Sequence, residues 1–208
     1  MGADGFRLKT QGDYNLDEVV SALQKSIRRG LEIEAMYWSM ELLPRFERYL
    51  WRRLKIICSE DVGIANPQAI ILVQVLSDQY FELRKRGDMG CLLMLSNAIL
   101  TLCRSKKTRV ADHAICHIIQ VREQGILRLE IPDYALDIHT RRGKNLKRGL
   151  KHFQKEGAKL VNKDTGINDP YEKLSYELEG SKHAKKLRWK KLHFFAEKDK
   201  EDKDQSLL

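Results

Sequence analysis

Arg52-Arg-Leu-Lys-Ile-Ile-Cys-Ser-Glu-Asp-Val-Gly-Ile-Ala-Asn-Pro-Gln-Ala69 is the most informative stretch of the chain. It reads as the end of one helix, a turn, and the start of another. Leu54 and Ile57 extend an apolar stripe begun by Phe46 and Leu50, at the three- and four-residue spacing that a helix gathers on one face. Arg48, Arg52, Arg53 and Lys55 lie mainly off that stripe, and Gly63 ends the helix. Asn66-Pro67 opens the next, with a capping side chain followed by proline at the first helical position. Between the two helices stand Ser59, Glu60 and Asp61. Acids at a helix C-terminus oppose its dipole, so these carboxylates need specific partners. Arg52, Arg53 or a neighbouring subunit are the candidates. Adjacent helical residues point about 100° apart, so the two carboxylates need not converge.

The pattern continues on both sides. Asn15 with Glu18 makes a box-like helix start, and Leu16, Val19, Val20, Leu23 and Ile27 follow at helical spacing until Gly30. A second helix is expected over Glu32 to Leu43, with Ile33, Met36, Tyr37 and Met40 on its stripe, and Pro44 opens a third. Downstream, a helix from Asn66-Pro67 to about Arg86 turns Leu72, Val73, Leu76, Tyr80 and Leu83 inward. A strongly apolar helix from Asp88 to Cys103 follows, carrying Leu92, Leu93, Leu95, Ile99 and Leu102 and central to the bundle, then one from about Lys106 to Glu123. Only Leu127 to Ile131 alternates with period two, too briefly for a sheet. About six helices with short connections imply an antiparallel bundle.

The chain has 208 residues and a net charge of +9, and the charge is concentrated. Residues 141–160 carry eight cations against Glu156 alone, and residues 182–191 carry six with no acid. The remainder is mildly acidic. Segregated positive charge suits nucleic acid or another polyanion. No apolar run approaches the roughly 18 residues that span a bilayer, and the N-terminus has no signal-like apolar stretch, so a cytoplasmic location is expected. Cys58, Cys91, Cys103 and Cys116 lie far apart in helix-like segments, and are read as reduced, buried thiols.

Two stretches carry a family resemblance: Ser21-Ala-Leu-Gln-Lys-Ser-Ile-Arg-Arg-Gly30 with Glu34-Ala-Met-Tyr-Trp38, and the Arg52 to Ala69 segment. Together they resemble the signatures that begin the C-terminal region of the RarA/MgsA-type AAA+ ATPases. Weaker echoes lie at Ser105-Lys106-Lys107 and Ile131-Pro132. The likeness covers roughly residues 15–135 and has one departure, the extra Arg29 before Gly30. It implies an all-α fold like the clamp-loader collar, tetrameric assembly, and a role at stalled or damaged replication forks. In the implied assembly Tyr37, Trp38, Arg52, Arg53, Ser59, Glu60 and Asp61 are the structural or interface residues. The chain departs from the family after residue 135, where it turns basic instead of rich in glycine and tyrosine. No GxxxxGK[ST] phosphate cradle occurs; Gly143 to Gly149 lacks the lysine-hydroxyl pair.

The expected organisation is therefore a flexible leader (1–13), a helical oligomerisation-like domain (14–130), a basic helical extension packed on it (131–195), and a disordered tail (196–208). If residues 144–155 are helical, Lys144, Lys147, Arg148, Lys151 and Lys155 share one face. With Arg141 and Arg142 they form the candidate nucleic-acid surface, suited to phosphates without sequence readout. Lys182 to Lys191, with Trp189, Phe194 and Phe195 nearby, repeats the theme. Tyr37-Trp38 and Trp51 could stack on bases, but helical tryptophan more often fills a core or interface. His113 and His117 are four apart, near Asp112 and Cys116. His117 borders the apolar stripe Val110, Ala114, Ile118 and Val121, so packing is favoured over a metal. The leading expectation is a non-enzymatic, homo-oligomeric module without ATPase engine, cofactor or metal, its candidate partners DNA and a separate AAA+ ATPase. Its rivals are an adaptor that forms mixed oligomers with such an ATPase, and a small metal-dependent enzyme built on His113, His117 and the Glu60/Asp61 pair.

Overall fold

The computed structural model describes residues 8–161, 163 and 165–179. Among them every regular element is helical, and the strand-like feature is one isolated antiparallel bridge between Lys9 and Asn15. The fold is all-α, as expected. Two compact units divide the chain, one ending at Leu129 and the other beginning at Glu130.

The first unit is a bundle of α1 (Leu16–Arg29), α2 (Glu32–Ile57), α3 (Pro67–Lys85) and α4 (Cys91–Arg104), with α5 (Val110–Glu123) following. α1 packs chiefly on α2, and α3 on α4, while α4 also reaches α1 and α2. Val19, Leu23 and Ile27 of α1 meet Leu50, Leu54 and Ile57 of α2, Val73 and Tyr80 of α3, and Leu95, Ile99 and Leu102 of α4 in one buried cluster. Trp51 is buried there against Tyr80, ring centroids 5.2 Å apart.

α1 stops where the sequence says it should. Gly30 takes a left-handed φ of 72°, which glycine adopts without a Cβ penalty. Its amide donates to Ile27 O at 3.0 Å and that of Leu31 to Ser26 O at 2.9 Å, closing the helix end. At the other end the expected box does not form: Asn15 makes no side-chain cap and closes the bridge to Lys9 instead. The leader is tied down from Leu8. Thr10 is buried, and both its hydroxyl and the Gly12 amide donate to Glu41 Oε2 at 3.0 Å.

Several expected faces are corrected. Pro44 does not open a new helix. α2 runs through it and kinks at Phe46, whose φ of −121° and ψ of 27° are not helical. The inward face of α2 before the kink is Ala35, Ser39 and Leu42, and Ile33, Tyr37 and Met40 are exposed. Ala35 and Ser39 are small and carry little hydrophobic signal, so the larger residues beside them set the wrong stripe. Leu72 and Leu93 are likewise exposed. Asn66 makes no cap; its Nδ2 donates to Ser105 Oγ at 3.0 Å. Cys116 is exposed, unlike the other three cysteines.

The second unit has short elements: α6 (Arg141–Asn145), α7 (Leu150–His152) running into a π-helical turn (Phe153–Gly157), and α8 (Tyr171–Glu179). The expected continuation of α8 to Phe195, the Lys182 to Lys191 cluster with Trp189 and Phe194, and the tail from residue 196 lie outside the described residues. No helix among the described residues is long and apolar enough to cross a membrane.

Burial sets the expected mutational response of α4. Leu95→Ala, emptying a fully packed position, should cost about 2–5 kcal/mol in urea unfolding, whereas Leu93→Ala, exposed two residues away, should change stability by no more than about 0.5 kcal/mol.

Candidate functional site

The Ser59-Glu60-Asp61 segment sits in a π-helical turn (Cys58–Val62) that widens the end of α2. Gly63 then turns the chain with a φ of 47°, and a single 3-10 turn (Gly63–Ala65) leads into α3. The Asp61 side chain is fully buried. A buried carboxylate persists only when paired and hydrogen-bonded, and the pairing here is dense. Arg28 Nε donates to Asp61 Oδ1 at 2.8 Å, and its Nη2 donates to Asp61 Oδ2 at 3.3 Å and to Glu60 Oε1 at 3.2 Å. Gln24 Nε2 donates to Asp61 Oδ2 at 3.2 Å. From the other side Arg109 Nη2 donates to Glu60 Oε1 at 3.1 Å and to Asp112 Oδ2 at 2.6 Å, while its Nε lies 3.6 Å from Asp61 Oδ1. The Thr108 amide donates to the Asp61 carbonyl at 3.0 Å.

Glu60 and Asp61 therefore do converge, on two shared guanidiniums. The partners are Arg28 and Arg109, and not Arg52 or Arg53. Arg53 acts one step removed, with Nη2 donating to Gln24 Oε1 at 2.8 Å, and so orients the glutamine that holds Asp61. Arg52 is exposed and lies over the Tyr49 ring at 4.9 Å. Ser59 is exposed, its hydroxyl donating to Lys55 O at 3.2 Å. Lys107 caps the end of α4, donating to the carbonyls of Leu102, Cys103 and Ser105 at 2.7–2.9 Å. Burial lowers its ammonium below the usual lysine range, against the opposing charge of Asp61. Tyr37 and Trp38 stand edge to face at 4.9 Å, and Tyr14 meets Trp38 at 5.5 Å. Tyr37 is half exposed.

α5 begins at this cluster and then leaves the core. None of its residues is buried. The expected packing of His117 against Val110, Ala114, Ile118 and Val121 is not found: His113, His117 and all but Val121 of that stripe are exposed. Among the described residues no three His, Cys, Asp or Glu side chains converge as metal ligands. Beside α5 a cavity of about 560 Å³ is lined by Arg52, Lys55, Ile56, Glu60, Asp112 and Ile115. A second, of about 410 Å³, shares Lys55 and Ser59 and adds Ile70, Ile71 and Val75 of α3.

In the second unit residues 144–155 do not form one helix. α6 ends at Asn145, Lys147 takes a left-handed φ of 55°, and α7 starts only at Leu150. Lys144, Lys147, Arg148, Lys151 and Lys155 therefore do not form one helical stripe. Arg148 forks onto the Asp133 carboxylate and also donates to its carbonyl at 3.0 Å. That hydrogen-bonded guanidinium holds Asp133 below the usual carboxylate range. Arg141, Arg142, Lys144, Lys147, Lys151 and Lys155 remain exposed. The unit is held at Gly143, where a Cβ would lie 1.9 Å from the Asp137 carbonyl oxygen, and the Thr140 hydroxyl caps α6 by accepting from the Gly143 amide at 3.0 Å.

A family model described as the MgsA AAA+ ATPase C terminal matches residues 34–193. The chain belongs to this family. It is 31% identical over 148 residues to Replication-associated recombination protein A of Bacillus subtilis, covering 71% of this chain and 34% of that protein. The same-named protein of Haemophilus influenzae is 40% identical over 152 residues, covering 68% and 30% respectively. That of Escherichia coli K12 is 29% identical over 143 residues, covering 67% and 30%. The chain thus spans about a third of the length of the curated relatives it matches. The two stretches that carry the resemblance meet in space at one cluster, Arg28 from the first and Glu60 and Asp61 from the second.

Removing Arg28 strands a buried carboxylate. Arg28→Ala should lower unfolding stability by about 3–5 kcal/mol, and Arg52→Ala, which touches no member of the cluster, by less than about 1 kcal/mol. Chemical denaturation of the two variants compares them directly.

Proposed function

We propose that this chain is a non-enzymatic, self-associating helical module serving DNA replication, repair or recombination. Family membership and the relatives' printed name, replication-associated recombination, support the process. The observation that carries the self-association is α5. Val110, Ile115, Ile118 and Ile119 are between 41 and 56% exposed on a helix with no buried residue. Contiguous apolar surface of this kind marks interaction sites on soluble proteins, and a helix of 14 residues gains little stability alone in water. A second copy would cover it. The neighbouring cavity offers two cations, Arg52 and Lys55, and two carboxylates, Glu60 and Asp112, around Ile56 and Ile115. A surface that carries charges of both signs can pair with itself about a two-fold axis. One such contact gives a dimer, and the tetramer that the family resemblance implies needs a second contact per chain. The same face would accept the matching face of a full-length relative. Mixed oligomers with a separate AAA+ ATPase are therefore the second reading.

Nucleic acid is the second proposed partner. Arg141, Arg142, Lys144, Lys147, Lys151 and Lys155 have no side-chain ion-pair partner among the described residues, and only Arg148 of the cationic set is committed internally. Cations spread over loops and short helices suit a phosphate backbone, which needs charge and not register.

Two measurements check these readings. Light scattering of the purified chain should give a multiple of 24.2 kDa, and Ile118→Asp with Ile119→Asp should return it to 24.2 kDa with its helical content intact. A wild-type monomer, or a multimer indifferent to those changes, contradicts the assembly. Binding to single-stranded DNA should fall at least tenfold when Lys144, Lys147 and Lys151 become Glu. The salt dependence should become shallower by about 2 log units per log unit of salt, roughly 0.7 per lost contact. Unchanged binding removes nucleic acid from the account.

A further inference from the structure

His113 and His117 lie on the exposed surface of α5, and among the described residues neither imidazole has a hydrogen-bond or ion-pair partner. Neither imidazole is packed in the core, so both are open to an external ligand. A four-residue separation turns the two side chains only about 40° apart around the helix, with Cβ atoms about 6 Å apart. Two imidazoles so placed can grip one metal ion, as in helical zinc motifs. Cys116 stands about 60° away on the other side of His113, and its thiol is turned to Asp112 Oδ1 at 3.8 Å. The histidines form the chelating pair, and the cysteine is a neighbour.

One chain cannot complete such a site, because no three ligating side chains converge within it among the described residues. Structural zinc takes four ligands in a tetrahedron. We propose that His113 and His117 form a two-point chelate for a Zn2+-class ion, and that the same pair from a second copy fills the remaining two positions. The proposal rests on the reading of α5 as the junction between copies. The geometry favours it in two respects. The pair borders the apolar stripe Val110, Ala114 and Ile118, so it lies on the rim of any contact made through that stripe. In an antiparallel pairing about a two-fold axis, each flank of the stripe meets the same flank of its partner. The pair also lies near the middle of the helix Val110–Glu123, so antiparallel pairing sets pair opposite pair. Imidazole ligands suit zinc, copper and nickel, and zinc alone is redox-silent.

The test uses the full chain, stripped of metal and dialysed against zinc chloride, with His113→Ala, His117→Ala and Cys116→Ser beside it. No α5 side chain is buried, so these variants should fold. The expected result is one zinc per two chains, at least tenfold weaker retention in either histidine variant, and retention within a few-fold of wild type in Cys116→Ser. Zinc should also tighten association at least tenfold in the wild type and leave His117→Ala unmoved. Zinc absent from the wild type, retained equally without either histidine, or bound one per chain overturns the proposal. So does a loss in Cys116→Ser as large as in the histidine variants. Mass measured without metal separates this result from self-association: a metal-free multimer that ignores zinc overturns the metal site alone. A metal-free monomer that pairs on zinc supports the site while contradicting metal-independent assembly.

Discussion

The structure of the first unit turns on Asp61, a carboxylate with no solvent exposure held by guanidiniums from two distant segments. Desolvating such a charge costs several kcal/mol, offset only where geometry and hydrogen bonds are complete. Arg28 brings the end of α1 to the end of α2, and Arg109 brings the entry of α5 to the same point. The backbone takes part as well, through the Thr108 amide on the Asp61 carbonyl. A π-helical turn provides the frame, and turns of this type often mark functional positions within helices.

This cluster matters more for α5 than for its neighbours. α1 to α4 are held by a shared apolar core, whereas α5 contributes no buried side chain. Its placement therefore depends on its first turn, where Arg109 and Asp112 join Glu60 and Asp61. Beyond that turn the helix presents isoleucines to solvent, and its Ile115 lines the cavity shared with Arg52, Lys55 and Ile56. An anchored start and an uncovered remainder fit a segment whose packing is completed by another chain. Arg28, Glu60 and Asp61 of this anchor come from the two stretches that carry the family resemblance, and Arg109 and Asp112 from the start of α5.

The helices with large inward residues were legible in the sequence. α1 follows its apolar stripe and α4 follows its own except at Leu93, and Gly30 ends α1. α2 was misread because Ala35 and Ser39 are too small to mark a core face, and because Pro44 looks like a boundary although the chain only kinks two residues later. The partners of Glu60 and Asp61 were invisible locally. Arg28 is 32 and 33 residues away from them, and Arg109 is 49 residues from Glu60. Periodicity also cannot tell a core stripe from an interface stripe, since both repeat every three to four residues. Val110, Ala114 and Ile118 therefore look like a packed stripe in the sequence although they are exposed. The conditional cationic stripe over 144–155 does not form for a local reason: Lys147 adopts a left-handed backbone two residues before Gly149.

The proposed assembly requires that another copy of the chain cover α5. Hydrogen exchange of the α5 amides across a dilution series tests it most directly. The account predicts slow exchange over 114–123 at high protein concentration and faster exchange on dilution, with the amides of α1 and α4 unaffected. Fast exchange of α5 at every concentration would contradict it.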